Sequence, residues 1–211
     1  MIKFERIDIM NIENAIRGMR NPLNSWDKSD SRFNWETGEY IVGPNDLVLA
    51  HRLAKSGSDH RKFLRQIIVS IDITAPLYWW KEMDQYKVGT TTNSCSTMHK
   101  IHSKEFSRND FSCERMNESG LAVLDGVIAY LESERLLFNE TKDKQHWHNI
   151  IQILPTSYNQ LRTVTLSYEN LLNIYHARNH HKLCEWHDLC DLIERLPYFK
   201  EICLEGENNG N

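Results

Sequence analysis

Arg178 is the residue of this chain best suited by type and position to hold a ligand. It closes the run Asn173-Ile174-Tyr175-His176-Ala177-Arg178, downstream of Leu154-Pro155. A strand-like stretch, Tyr158 to Ser167, leads straight into a helix-like stretch, Tyr168 to Ala177, and the helix stops on the guanidinium. A planar, permanently charged fork at the end of a rigid element suits a phosphate or an electron-poor base edge. It also suits the negative C-terminus of its own helix, and the local pattern leaves both roles open.

A second group of candidates runs from Lys81 to Thr97. Lys81, Gln85 and Lys87 lie on or just after a predicted helix. They are followed by Thr90, Thr91, Thr92, Asn93, Ser94, Cys95, Ser96 and Thr97. Cations beside hydroxyls and loop N–H groups are what a phosphate or pyrophosphate needs; a solvated helix end with a polar loop has the same composition. The glycine patterns of the common phosphate loops are absent.

Two other constellations are weaker. His176, His180, Cys184 and His187, flanked by His181 and Cys190, have spacings that would align on one continuous helix and seat a metal. Asn179-His180-His181 reads as a helix break that scrambles this register, so no metal is expected. Cys95 and Ser96 would be nucleophile candidates only if His99 or His102 turned toward them. Glu132, Glu134 and Asp125 read as an ordinary charged helix face.

The elements that must position these groups follow from periodicity and breakers. Lys3 to Ile9 reads as a strand and Ile12 to Met19 as a helix. Asn21 to Asn45 reads as a long polar loop whose aromatics (Trp26, Phe33, Trp35, Tyr40) should pack onto something. Helices are expected at Asp46 to Lys55, Leu77 to Tyr86, Asn117 to Phe138, Gln145 to Ile153 and Lys182 to Leu196. A strong strand is expected from Phe63 to Thr74. Ala75-Pro76 opens the Leu77 helix, and Pro155 stops the one before it. The order implies an α+β or α/β fold in one domain spanning residues 1–205, followed by a frayed acidic tail at 206–211.

Bulk properties narrow the function classes. The 211 residues suffice for one sizeable core. A net charge of −4 without a polybasic block gives no footprint for duplex nucleic acid. No apolar stretch approaches the roughly 20 residues of a membrane span, and the charged N-terminus lacks a signal-peptide core, so a cytoplasmic protein with no membrane partner is expected. Five irregularly spaced cysteines read as reduced thiols.

In order, these pieces resemble the flavin-dependent thymidylate synthases, the ThyX family, over roughly Met1 to Leu196. The resemblance is specific in two places: the strand, Ala-Pro, helix and hydroxyl loop from Ile67 to Lys100, and Leu154-Pro155 with the strand and helix to Arg178. The second resembles the family's Leu-Pro, strand, then Asn-x-Arg-x-Leu-x-x-Phe-Leu-x-Leu-Arg signature. Leu171, Leu172, Asn173 and Arg178 fall in register, whereas Ser167 replaces its asparagine and Glu169 its first arginine. The resemblance implies that Arg178 contacts the pyrimidine and polarises it, and that Asn173 lies near a flavin.

The family's Arg-His-Arg-x-x-Ser-x-Asn-x-x-Ser-x-Arg hallmark corresponds to the stretch from Gln85 to Met98. Gln85, Tyr86 and Lys87 replace Arg-His-Arg, and Thr90 replaces the first serine. With one residue inserted, Asn93 and Ser96 match, and Met98 replaces the last arginine. An upstream Glu-His pair becomes Arg65-Gln66. By resemblance, Gln85, Tyr86, Lys87, Thr90 and Asn93 hold FAD with Asn173. Lys81, Ser94, Ser96 and Thr97 bind the nucleotide with Arg178. Losing Arg-His-Arg removes a bidentate fork and an imidazole, and leaves Tyr86 able to stack on a ring.

What the resemblance implies for the whole is a ThyX-like domain with a central mixed or antiparallel sheet flanked by helices, assembling as a homotetramer that builds its sites between subunits. FAD would be the cofactor, NADPH and methylene-tetrahydrofolate co-substrates, and dUMP or a related pyrimidine deoxynucleotide the substrate. A nucleotide-binding protein of the same fold without catalysis is the alternative.

Overall fold

The computed structural model describes residues 2–205. The tail expected at 206–211 lies outside the described residues. The principal elements are β1 (Lys3–Met10), α1 (Ile12–Gly18), β2 (Arg32–Asn34), β3 (Glu39–Ile41), α2 (Pro44–Lys55), β4 (Ile68–Pro76), α3 (Leu77–Met83), β5 (Thr91–Ser94), α4 (Glu118–Thr141), α5 (Lys144–Ile153), β6 (Asn159–Ser167), α6 (Tyr168–Arg178) and α7 (Cys184–Glu194). The expected mixed architecture is present: a four-stranded sheet in the order β1-β4-β6-β5, with helices flanking it.

The chain forms two compact units, one of Met1–Glu5, Asp72–Gln85 and Thr92–Thr163, the other of Arg6–Ile71, Tyr86–Thr91 and Val164–Asn211. In the first unit α4 and α5 pair. Asn117 caps α4 by accepting from the Gly120 N–H, and Asp143 caps α5 by accepting from the Gln145 N–H. Leu124 and Leu131 of α4 meet Ile150 of α5 in a core closed by Ile101, Phe106 and Phe111. The start of α3 is tied down by two backbone bonds, Leu77 N–H to the Tyr158 carbonyl and Tyr78 N–H to the Thr156 carbonyl, both 3.0 Å.

The second unit is built around α6 and α7. Tyr168, Leu171, Leu172 and Ile174 of α6 are buried, as are Trp186, Leu189, Cys190 and Ile193 of α7. Ile16, Phe63, Leu64, Ile67 and Phe199 complete this interior. The buried Tyr168 hydroxyl finds the partner it needs by donating to the Pro197 carbonyl at 2.8 Å.

Several boundaries depart from the sequence-based expectation. The strand expected from Phe63 begins only at Ile68, because Arg61–Gln66 is a 3-10 helix that turns Phe63 and Leu64 into the core. The helix expected to reach Tyr86 ends at Met83, which leaves Gln85, Tyr86 and Lys87 on the following turn. Part of the expected hydroxyl loop is a strand, β5. The helix expected at Lys182 to Leu196 is shortened to Cys184–Glu194, and Lys200–Leu204 forms an unexpected π-helical turn. The expected Asn21 to Asn45 loop contains two 3-10 turns and the antiparallel hairpin β2–β3, paired Arg32 with Ile41, Phe33 with Tyr40 and Asn34 with Glu39. Its aromatics do not all pack: Trp35 is 87% exposed, against only the edge of Phe33.

Candidate functional site

In the second unit, α6 holds the turn that follows α3 by both ends of the helix. Near the start of α6, Ser167 forms a capping box with Asn170, and the Asn170 amide donates to the Val88 carbonyl at 2.8 Å. At its end, Arg178 Nε donates to the Tyr86 hydroxyl at 2.8 Å. Gly89 directly follows the Val88 anchor with φ 73°, and a Cβ there would lie 3.2 Å from the Asn170 side-chain oxygen. The turn therefore requires glycine at that position.

The Arg178 guanidinium lies over two aromatic faces, 4.6 Å from the Trp186 ring centre and 5.5 Å from that of Tyr86. The two rings meet edge to face at 6.1 Å. Trp186 is fully buried and Tyr86 and Arg178 are half-buried, so the charge sits at the boundary of the core. A partly desolvated guanidinium against indole and phenol is held by cation–π attraction as well as by its hydrogen bond. Its rotamer freedom is spent before any ligand arrives, which is what a recognition arginine needs.

Asn173 is exposed on α6 and its side-chain oxygen accepts from Arg61 Nη2 at 3.3 Å. Arg61 also pairs with Glu169 at 3.1 Å, and Arg65 with Glu169 at still closer range. Burial works to raise the Glu169 carboxyl, and hydrogen bonds and charge from Arg65 and Arg61 outweigh it, holding the group below its ordinary value. The two positions at which charge is reversed relative to the ThyX pattern, Arg65 and Glu169, thus form one ion pair. The Thr90 hydroxyl is shut off from solvent and takes no hydrogen-bond partner among the described residues.

The same unit contains a broad cavity of about 1440 Å³ that no sequence motif announced. Met19, Leu49, Leu53 and Phe63 give it an apolar floor, while Lys28, Arg52 and Lys62 bring positive charge and Asp59 one negative charge. One wall is Arg20, whose Nε donates to the fully buried Asp46 at 2.5 Å. Asp46 also accepts from the hydroxyls of Ser29 and Ser31, each at 2.6 Å, and from the backbone of Asp30 and Ser31. The segment from Asn21 to Lys28 lines the cavity too, so part of the expected loop is a built wall.

Of the remaining residues expected to hold flavin or nucleotide, Lys87 is exposed in the second unit and the others are in the first. Lys81 and Gln85 are exposed, as are Asn93 and Ser94 on β5, and Ser96 and Thr97 are half-buried beyond it. Ser96 Oγ accepts from the backbone N–H groups of Met98 and His99, at 3.2 and 3.1 Å. The His/Cys stripe is interrupted as expected, since α6 ends at Arg178 and α7 begins at Cys184. His181 Nδ1 accepts from the Leu183 N–H, and burial pushes the Cys190 thiol up to about 11. Among the described residues no cluster of His, Cys, Asp and Glu could hold a metal ion.

Neither a family model nor a curated protein sequence matches this chain. Solved structures do. Thymidylate synthase X (ThyX) from Helicobacter pylori, with FAD and dUMP, superposes with a TM-score of 0.71 at 20% identity, covering 97% of this chain and 98% of that one. A second structure of the flavin-dependent ThyX of Helicobacter pylori, complexed with FAD and dUMP, gives 0.68 at 20% identity over 95% and 98%. The fold is that of ThyX. The likeness takes in nearly the whole of both chains. Also, no described helix is long and apolar enough to cross a membrane.

Proposed function

We propose that this chain is a flavin- and folate-dependent thymidylate synthase-like enzyme that modifies a pyrimidine deoxynucleotide, dUMP or a close variant. The observation that carries the reading is Arg178. In a chain of ThyX fold it stands at the end of α6, fixed by the Tyr86 hydroxyl and the Trp186 face, where a fixed guanidinium recognises the polar edge of a pyrimidine. The fold is supported by likeness to proteins crystallised with FAD and dUMP.

The residues present fit a flavin dinucleotide. The cavity combines an apolar floor for a ring system with Lys28, Arg52 and Lys62 for phosphates. When bound, a flavin supplies hydride and a folate the one-carbon unit. The protein's own share is positioning and electrostatics, with no protein nucleophile required. Tyr86 and Asn173 are both engaged within the chain, so Lys87, Thr90 and the cavity cations carry the flavin side. Lys81, Gln85, Asn93, Ser94, Ser96 and Thr97 would contribute from a partner subunit of a homotetramer, each chain acting as a single ThyX-like domain.

A nucleotide-binding protein without catalysis is the second reading. It is favoured by Gln85 and Tyr86 standing where the fold's hallmark has cation and imidazole, and by Glu169 occupying Arg61 and Arg65. Purified protein supplied with FAD, NADPH, methylene-tetrahydrofolate and dUMP is expected to show flavin absorbance that bleaches with NADPH, and to form dTMP. A colourless protein that takes up no FAD but is thermally stabilised by dUMP selects the second reading. A protein that binds neither removes both.

A further inference from the structure

We infer that Tyr86 is a positioning residue for pyrimidine recognition, acting through Arg178, and not a flavin ligand. The inference rests on the reading of Arg178 as the pyrimidine contact. The motif position of Tyr86 suggested a ring stacked on flavin. The geometry gives its hydroxyl a different role, since it accepts from Arg178 Nε at 2.8 Å, the nitrogen nearest the side chain's aliphatic stem. An acceptor at Nε fixes the plane of the guanidinium, because the group is rigid and Nε–H lies in that plane. Trp186 fixes the same plane from its face, at 4.6 Å. Phenol oxygen and indole face are therefore two independent constraints on one fork.

Tyr86 is itself held. It stands at the start of the turn pinned by the Asn170 amide on Val88, and its ring meets the buried Trp186 edge to face. The turn, α6 and α7 thus converge on the orientation of one charged group, all within the second unit. A planar group set in this way discriminates between base edges by direction, whereas a loosely held cation would attract any anionic nucleotide. Tyr86 therefore governs selectivity between pyrimidines more than overall attraction.

The test compares Tyr86→Phe with Arg178→Ala, measuring dUMP and dCMP affinities by calorimetry. Tyr86→Phe keeps the ring on Trp186 and removes only the acceptor. The dissociation constant of the preferred nucleotide is expected to rise about five- to tenfold. The ratio between dUMP and dCMP should move toward one, with the melting temperature changed by no more than about 3 °C. Equal weakening of both nucleotides, or none, with Arg178→Ala still weakening binding, overturns the positioning role and leaves the reading of Arg178 intact. Unchanged binding in Arg178→Ala overturns that reading itself. If Arg178→Ala does not fold, Arg178→Lys, which keeps the charge and loses the fork, takes its place with the same outcomes.

Discussion

Asp46 shows how a single carboxylate organises the cavity wall. It is fully buried, and its two oxygens collect Arg20, two hydroxyls and two backbone N–H groups. Burial alone would raise its pKa, but the hydrogen bonds from Ser29, Ser31 and Arg20, with the charge of Arg20, outweigh it and hold the carboxyl below its ordinary value. A carboxyl depressed in the folded state contributes stability above its unfolded pKa and loses it as pH falls through the folded one. Glu169 shares that sign. Urea unfolding is therefore expected to show stability declining below about pH 4, where unfolded carboxylates titrate. Asp46→Asn should cost about 3–5 kcal/mol at pH 7, because Arg20 is left buried without its countercharge. The same variant should flatten the acid limb of the profile. An acid limb as steep as that of the unchanged protein would contradict the assignment. Glu169→Gln, nearer the surface and shared between two arginines, should cost less, about 1 kcal/mol.

Among the elements, α2 makes the sharpest demand on sequence. Its first turn is capped from a distance: the Asp30 carboxylate accepts from the N–H groups of Asn45 and Asp46, at 2.9 and 3.1 Å. Room for that carboxylate exists because residue 43 has no side chain. A Cβ on Gly43 would stand 2.3 Å from Asp30 Cγ and 2.6 Å from its backbone carbon. Gly43→Ala is expected to lose about 2–4 kcal/mol, the sum of overpacking and a damaged cap. An Asp30→Gly background removes the clash with the side chain and leaves the 2.6 Å approach to the backbone of residue 30, so the loss should shrink only in part, by about 1 kcal/mol, which a double-mutant cycle reads directly. Equal losses in both backgrounds would place the cause elsewhere. For α6 the cap is local, and Ser167→Ala should cost about 1 kcal/mol in the same assay. These two helices also show what the sequence made legible. The change from strand-like to helix-like pattern after Ser167 placed the start of α6 to the residue, and the Ala75-Pro76 pair marked that of α3. The Arg61–Gln66 turn was hidden because Phe63 and Leu64 continue the apolar run of β4, and nothing in periodicity separates a buried 3-10 turn from a strand. The β2–β3 hairpin was hidden by its three-residue strands. The cavity was hidden because its wall is assembled from residues 18–66 by long-range pairs such as Arg20 with Asp46. Arg178 was legible as a site candidate, whereas its tie to Tyr86 spans 92 positions and leaves no trace in local pattern.

At the scale of the whole molecule, the net charge of −4 makes the cavity's positive side chains a local exception to a repulsive background for anions. Lys28, Arg52 and Lys62 face one negative group, Asp59, around an apolar floor. If these cations receive the phosphates of a flavin dinucleotide, affinity must fall with salt and with reversal of the charge. Each cation removed weakens a charge-assisted contact by about 1.5 kcal/mol or more, so Arg52→Glu with Lys62→Glu should raise the FAD dissociation constant at least about a hundredfold. Linkage makes this visible without any turnover. A ligand at a hundred times its dissociation constant adds about 2.7 kcal/mol to folded-state stability. For a chain of this size that is a rise of roughly 5–10 °C in melting temperature. FAD should produce that shift in the unchanged protein and little or none in the double variant. The dUMP shift, which on the proposed function depends on Arg178, should persist in both. If FAD stabilises both proteins alike, the cavity is not where the flavin binds, and Lys87 with Thr90 become the groups to test. If the dUMP shift disappears with the cavity charges, nucleotide and flavin share one set of cations and Arg178 does not act alone.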